Sequence, residues 1–435
     1  MASRQDQLHS YQFMVQRVVA ALVMRETDPP RSPFRRVAGA TLVGVLIAAL
    51  GIGGAAAYAL IVPSTSSKWR DETAIIVEKD TGALFIYREE RLHPVLNQAS
   101  ALLILNRAGT KTIEVSRTAL AEAPRGTPLG IPGAPASLPA KTKLHRRPWE
   151  ICTQREASVL FIDANAPRDG MKLEDRALLV TDRTLGLYLV VHQRKHQIRQ
   201  PSAILPALVW SGRAQTPVAQ AFLHAIPSGA DLVVPAVEGR GRKVAGGTVG
   251  QLFEVRTGDR VDAFVLTVDG LASVTPLQAA LVQVKAQPLT PGEFAALVQD
   301  RQVRPLPSGA GMPAEVPELL DDGFGVACTT SDSTITVGNT LPELGAAPIP
   351  SSASDAGTVL ADRIVVAPGG GALIRTDTGN LSLVTDLGRR HALPDAGVLA
   401  GLGYQGVEPV TVPGEFVGLL PAGPALDPQR ALSGS

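Results

Sequence analysis

The spacing of apolar and polar positions divides this chain into three kinds of segment. Between Arg36 and Pro63 no residue carries a charge. About 20 apolar residues suffice to cross a bilayer as a helix, so this run predicts one transmembrane helix over residues 37–62. Ahead of it Tyr11, Met14, Val15, Val18, Val19, Leu22 and Val23 recur at helical spacing, with Gln12, Gln16 and Arg17 on the other side. Residues 1–36 therefore hold an amphipathic helix, suited to a membrane surface or a protein partner, which Asp28-Pro29-Pro30 ends. Beyond the span the pattern changes to short apolar runs of strand type, each followed by a turn signal and a short helical stretch.

Those short runs recur. The first copy has Ala74-Ile75-Ile76-Val77, a turn at Asp80-Thr81-Gly82, a strand over 84–87, a polar stretch to His93 and a helix from Asn97. The second has strands over 177–180 and 187–191 around Gly186, a polar stretch to His196 and a helix at 202–209. The third has strands over 252–255 and 263–268 around Arg256-Thr257-Gly258, then a helix after Thr275-Pro276. The fourth has strands over 372–375 and 381–385 around Asp377-Thr378-Gly379, then His391 and a helix after Pro394-Asp395. The same distance in sequence separates Gly82 from Gln98, Gly186 from Ser202 and Gly379 from Asp395, which marks internal repetition. Asn97, Ser202, Thr275 and Asp395 are placed to cap the helices. Every copy closes on related punctuation: Pro124-Arg125-Gly126, Pro227-Ser228-Gly229, Pro307-Ser308-Gly309 and Pro421-Ala422-Gly423. Pro291-Gly292-Glu293-Phe294 and Pro413-Gly414-Glu415-Phe416 each open a second short helix, so the unit reads as a hairpin with two helices.

Residues 127–176 and 310–371 fall outside the copies, and each contains one of the two cysteines, Cys152 and Cys328. Strand-like runs at 158–163, 334–337 and 363–367 predict one central β-rich domain built from both segments. The resulting expectation is an α+β protein: a single transmembrane helix plus an elongated ectodomain of four small α/β repeats around that central domain. After 1–36 and 37–62, the divisions are repeat 1 at 63–126, repeat 2 at 177–236, repeat 3 at 248–309 and repeat 4 at 372–428. The central domain takes its first stretch from 127–176 and its second from 310–371.

Charge sets the direction. Arg4, Arg17, Arg25, Arg31, Arg35 and Arg36 precede the span against Asp6, Glu26 and Asp28, whereas Lys68 and Arg70 after it are offset by Asp71 and Glu72. This places the N-terminus in the cytoplasm and the bulk of the chain outside. A cleaved signal peptide ending at Ala55-Ala56-Ala57 is the alternative, for which both the polar leader and the apolar run are too long. An exterior location permits oxidation, and the simplest arrangement is a Cys152–Cys328 disulfide, with a catalytic or metal-binding thiol pair as the other reading. Gly39, Gly44, Gly51 and Gly54 form a face where a second helix can approach closely, or reflect the ordinary glycine content of membrane spans.

Net charge is +1, from 41 basic and 40 acidic residues, so no global field favours nucleic acid. With 42 glycines, 34 prolines and 4% aromatics, the composition suits many short elements joined by turns.

Candidate chemistry is thin. Two Asp-Thr-Gly triplets, at Asp80 and Asp377, suggest the paired carboxylates of an aspartic protease. Both fall on repeat turns, where Asp and Gly serve turn geometry, and neither follows the apolar strand a buried dyad needs. No GxxxxGK[ST] phosphate loop occurs, and Gly239-Arg240-Gly241-Arg242-Lys243 and Pro368-Gly369-Gly370-Gly371 lack the Lys-Ser/Thr that holds phosphate and magnesium. His192 and His196 have the spacing of two helical metal ligands, but the run before them is strand-like and Arg194 and Lys195 repel a cation. GxSxG is absent. The sequence therefore assigns no catalytic residue, no metal ligand and no cofactor.

The order of these features, together with Tyr11-Gln12-Phe13, Arg17 and Ala20-Ala21-Leu22 in the leading helix, resembles EccB, a core membrane component of the type VII (ESX) secretion machinery of actinobacteria. Val18 stands where that family usually has the second of two arginines. The resemblance covers essentially the whole chain. It implies a structural subunit of the cell membrane that self-associates through its ectodomain and assembles with an EccC-type FtsK/SpoIIIE ATPase, EccD and EccE. Some family members carry an ATPase label, and hydrolysis is expected to belong to the EccC partner. A membrane-anchored envelope hydrolase or ATPase is the alternative, and a cell-wall-binding module a third reading.

Overall fold

A computed structural model describes residues 4–24, 33–61, 69–162, 166–167, 169–182, 184, 186–298, 302–309, 311–320, 324–342, 349–350 and 358–433. The stop at Asp28-Pro29-Pro30, the charges at Arg25, Glu26, Arg31 and Lys68, and the Val62-Pro63 end of the span lie outside them. The chain divides into two compact units, residues 1–71 with 114–123, and residues 72–113 with 124–435.

In the first unit the two expected helices form as Arg4–Met24 and Pro33–Ile61. Over residues 38–58 the second presents no buried residue, and it is the one helix among the described residues long and apolar enough to cross a membrane. Bare apolar side chains such as Leu46, Ile47 and Leu50 are costly in water, and lipid removes that cost. The leading helix likewise exposes Leu8, Tyr11, Met14, Val15, Val18 and Leu22.

In the second unit each copy contributes a small sheet with the same core. A three-stranded antiparallel meander runs Ala74–Glu78, Leu84–Arg88, Arg91–Val95 in the first copy. The second has Leu178–Thr181, Leu187–Val191, Arg194–Gln197, and the third Leu252–Thr257, Arg260–Thr267, Gly270–Val274. The fourth has Gly371–Thr376, Leu381–Thr385, Arg390–Leu393. The polar stretch to His93, His196 or His391 is thus the third strand, not a loop. It reads as polar because Arg91, Arg194 and Arg390 lie near its start. In copies two, three and four a further strand, Thr216–Pro217, Gln287–Leu289 or Val410–Val412, pairs in parallel with the first. The unit is accordingly a mixed sheet with helices, larger than a hairpin with two helices.

Helix starts follow the sequence at two of four positions. Asn97 accepts from the Ser100 N–H at 2.9 Å while its Nδ2 donates to the Ile131 carbonyl at 2.9 Å, opening helix Gln98–Leu105. Thr275 and Gln278 form a reciprocal capping box around Pro276–Val282. Ser202 does not cap. The helix begins one residue earlier, as Pro201–Ala207, with Gln200 at the N-cap position, so Ser202 falls inside the first turn and the helix has no side-chain cap. Asp395 accepts from Gly397 at 2.6 Å, ahead of helix Val398–Gly401 rather than on it.

A seven-stranded sheet takes strands from both intervening segments, including Glu150–Gln154, Ala157–Phe161, Ala327–Thr330, Ile335–Val337 and Arg363–Val365. Cys152 lies directly opposite Cys328 across the first and third of these strands. Strand alternation puts Cys152, Val159, Phe161 and Cys328 on one face, and Ile151, Leu160, Ala327 and Ile364 on the other. That second face shares a core with copies two and four, through Val180, Val190 and Phe222 from one and Ile374, Phe416 and Val417 from the other. Copies one and four share a second core around Leu103, Leu383, Leu399 and Tyr404, and copies two and three a third around Ile204, Leu208, Leu277 and Leu281. Polar ties lock these contacts. The Ser158 N–H and hydroxyl both donate to Asp362 Oδ2, at 2.8 and 2.6 Å, and the Ala219 N–H donates to Thr153 Oγ1 at 2.9 Å in a buried site.

Candidate functional site

The residues that offered chemistry do not converge. Asp80 and Asp377 are exposed on the turns of two different sheets. The Asp377 carboxylate accepts from the neighbouring Thr378 N–H at 3.1 Å, the work of a turn residue. His192 and Gln193 occupy left-handed backbone at the tip of a hairpin, so the spacing of His192 and His196 is that of a turn and a strand. Their partners differ. His192 Nε2 lies 3.4 Å from Asp175, whereas His196 Nδ1 lies 2.7 Å from the Ala230 carbonyl. Gly239 and Gly241 supply positive φ to a bend from which the Arg240 guanidinium donates to the Val282 carbonyl at 2.8 Å. A groove of about 670 Å³ between copies two and three is lined by Pro206, Ala207, Leu252, Ala279 and Ala280, and Glu254 is the one titratable side chain on its wall. No acid–base pair faces across it.

The two cysteine sulfurs are bonded to each other. Glu150 lies close enough to both for the three to resemble a metal cluster, but a disulfide sulfur offers no thiolate lone pair for a metal.

What the copies do bring together is a recurring lock whose two halves, the histidine and the closing Pro-x-Gly, stand far apart in sequence. His93, His196 and His391 occupy matched positions on the third strands, opposite Ile86, Leu189 and Leu383. Each ring's Nδ1 faces a carbonyl just beyond the closing glycine: Thr127 at 2.9 Å, Ala230 at 2.7 Å and Pro424 at 3.0 Å. A carbonyl only accepts, so Nδ1 carries the proton and Nε2 is bare. The glycine leaves room for the ring; a Cβ added at Gly126, Gly229 or Gly423 would lie 2.3, 2.2 or 2.2 Å from the imidazole Cε1. The third copy has no histidine on its third strand Gly270–Val274, and its Gly309 faces Ala230 of the second copy.

Burial dominates the electrostatics here. It pushes the His196 and His391 rings below the ordinary imidazole range despite their carbonyl acceptors. At the contact of copies two and four, burial likewise lowers Lys195, whose ammonium donates to the Leu223 carbonyl, while Glu415 opposes the shift. His224 beside them is lowered by burial and by Lys195. Lys195 lies on the third strand of copy two and His224 on helix Gln220–Ala225, and neither lines the groove between copies two and three.

Comparison with known proteins agrees with this architecture. The family model described as "Type VII secretion system ESX-1, transport TM domain B", of the EccB type, matches residues 1–435. A relative named "ESX-3 secretion system ATPase EccB3", from Mycobacterium tuberculosis, is 26% identical over 98% of this chain and 88% of its own length. Another, "ESX-1 secretion system ATPase EccB1" of Mycolicibacterium smegmatis, is 25% identical over 98% of this chain and 94% of its own. Among solved structures, a chain of an intact ESX-5 inner membrane complex superposes with a TM-score of 0.66 at 25% identity, covering 99% of this chain and 95% of that one. A chain of the EccB3 dimer from the ESX-3 core complex does so with a TM-score of 0.61 at 25% identity, over 82% of this chain and 99% of that one. With the family model matched from the first residue to the last, this chain belongs to the EccB family of type VII secretion membrane proteins.

Proposed function

We propose that the chain is a non-enzymatic structural subunit of an ESX inner membrane complex, anchored by the helix Pro33–Ile61 with its N-terminus in the cytoplasm and residues 63–435 outside. The observation that carries this reading is the match over nearly its full length to a chain solved within an ESX-5 inner membrane complex. The arginine excess before the span supports the direction, and the cysteine pair fits an oxidising exterior. Repeats at 63–126, 177–236, 248–309 and 372–428 flank a central domain drawn from 127–176 and 310–371, and this ectodomain self-associates. The exposed helix Arg4–Met24 and the span meet the other core components, an EccC-type ATPase, EccD and EccE.

Relatives are named ATPases, but this chain has no phosphate loop, and its Asp-Thr-Gly carboxylates stand on separate exposed turns. We assign hydrolysis to the EccC-type partner. Affinity purification from native membranes, followed by identification of the co-purifying chains, tests the reading. Recovery with an EccC-type ATPase and as more than one copy is expected; a monomer that brings down none of these sinks it. Turnover of ATP that falls in Asp80→Ala or Asp377→Ala would favour the envelope hydrolase instead.

A further inference from the structure

The lock in the second copy differs from the others in what rests on it. His196 is fully buried, and its Nε2 has no hydrogen-bond partner among the described residues. The closing segment it holds is zipped to the third strand: the Lys195 N–H donates to the Pro227 carbonyl at 3.0 Å and the Gly229 N–H to the Lys195 carbonyl at 2.9 Å. The Arg194 guanidinium adds a bond to the Ser228 carbonyl at 3.1 Å. The two residues that flank this arrangement, Ala230 and Arg194, are also where the third copy's closing segment is seated. A Cβ added at Gly309 would fall 2.1 Å from Ala230 Cβ, and one at Gly311 would fall 2.8 Å from Arg194 Cδ. The third copy carries no histidine on its third strand, and its closing glycine serves this contact between copies instead.

We propose that His196 is an acid-released latch between the second and third copies: a proton on Nε2 frees residues 227–231 from the third strand, and the closing segment of the third copy loses its seat with them.

Protonation creates a buried N–H with no acceptor among the described residues, and a buried charge, both of which favour the open state where water solvates the ring. The charged groups around the ring work in both directions. Arg194 on the strand and His192 at its turn oppose a second positive charge; Asp231 on the facing segment favours one but is already bound by Arg199 at 2.6 Å, and His192 lies beside Asp175. The released ring takes a proton near the ordinary value of about 6.5, so at pH 5 the open population rises by up to about thirtyfold relative to neutral pH.

Hydrogen–deuterium exchange on the full chain in detergent tests this, with labelling times corrected for the intrinsic pH dependence of exchange. Between pH 7.5 and pH 5 the amides of 227–232 and 304–312 should lose protection by roughly ten- to thirtyfold, while the central strands Glu150–Gln154 and Ala327–Thr330 keep theirs. His196→Asn retains a donor near Nδ1 but cannot titrate, and should hold both segments equally protected at the two pH values. Flat protection in the unaltered chain overturns the proposal, as does loss spread evenly over the central strands. So does a pH response that survives in His196→Asn. Should that variant fail to fold, the unaltered chain alone still decides the matter through the first two outcomes.

Discussion

Replacing Gly229 with alanine isolates one steric contact. The glycine does not occupy left-handed backbone, so alanine is not penalised by φ and gains about 0.4–1 kcal/mol by narrowing the unfolded ensemble. Against this, its Cβ would sit 2.2 Å from Cε1 of a fully buried imidazole, well inside the 3.5–4.0 Å of a favourable carbon contact. The ring must move by more than an ångström. Overpacking of this kind costs about 1–3 kcal/mol, and the displaced Nδ1–H loses its bond to Ala230, worth about 1 kcal/mol. The net expectation is a loss of about 1–3.5 kcal/mol, with similar losses for Gly126→Ala and Gly423→Ala, whose added Cβ atoms meet His93 and His391 in the same way. Denaturant unfolding of the full chain in detergent, followed by fluorescence of the buried Trp149 and Trp210, reads this out. Gly418→Ala, with nothing within 4 Å, serves as the reference that should not destabilise. In the double variant His196→Ala/Gly229→Ala the clash has no second party, so the two changes should be strongly non-additive. A Gly229→Ala chain within 0.5 kcal/mol of the unaltered protein, or an additive double variant, refutes the lock.

Three further outcomes follow from the geometry. Removing the disulfide with Cys152→Ser/Cys328→Ser opens a link between residues 176 apart; chain entropy puts an upper figure of about 5 kcal/mol on the loss, and an unchanged thermal midpoint beside the unaltered chain counts against it. Thr275→Ala should cost about 1 kcal/mol through the capping box, with Thr275→Ser restoring most of it; equal stability of both variants in a urea melt would rule the cap out as a contributor. The third concerns acid. Burial holds His391 below the ordinary imidazole range, against the pull of its Pro424 acceptor and with a smaller push from Arg389. Its contribution to stability is therefore complete above about pH 6.5 and lost as the pH falls below that value. A urea midpoint that stays constant from pH 7 to pH 5 would contradict this.

Features controlled by nearest neighbours along the chain were legible from the residues alone. The uncharged run before Pro63 needs only its length and lack of charge to demand a bilayer. Asn97 and Thr275 cap because a short polar side chain sits three residues ahead of an open N–H. Ser202 misled because the helix starts at Pro201, which puts the serine inside the first turn instead of at the cap. The hairpins were legible from turn glycines between apolar runs, whereas the third strands of copies one, two and four open on Arg91, Arg194 and Arg390 and so read as polar stretches. Which distant segments meet was settled by packing. Nothing local says that copies one and four share a core, or that Ser158 finds Asp362. Nor does any short window explain why a histidine requires a glycine thirty-three residues later, at His93 with Gly126 and again at His196 with Gly229. That dependence exists only once parallel pairing lays the closing segment across the ring, because excluded volume acts between atoms close in space whatever their separation along the chain.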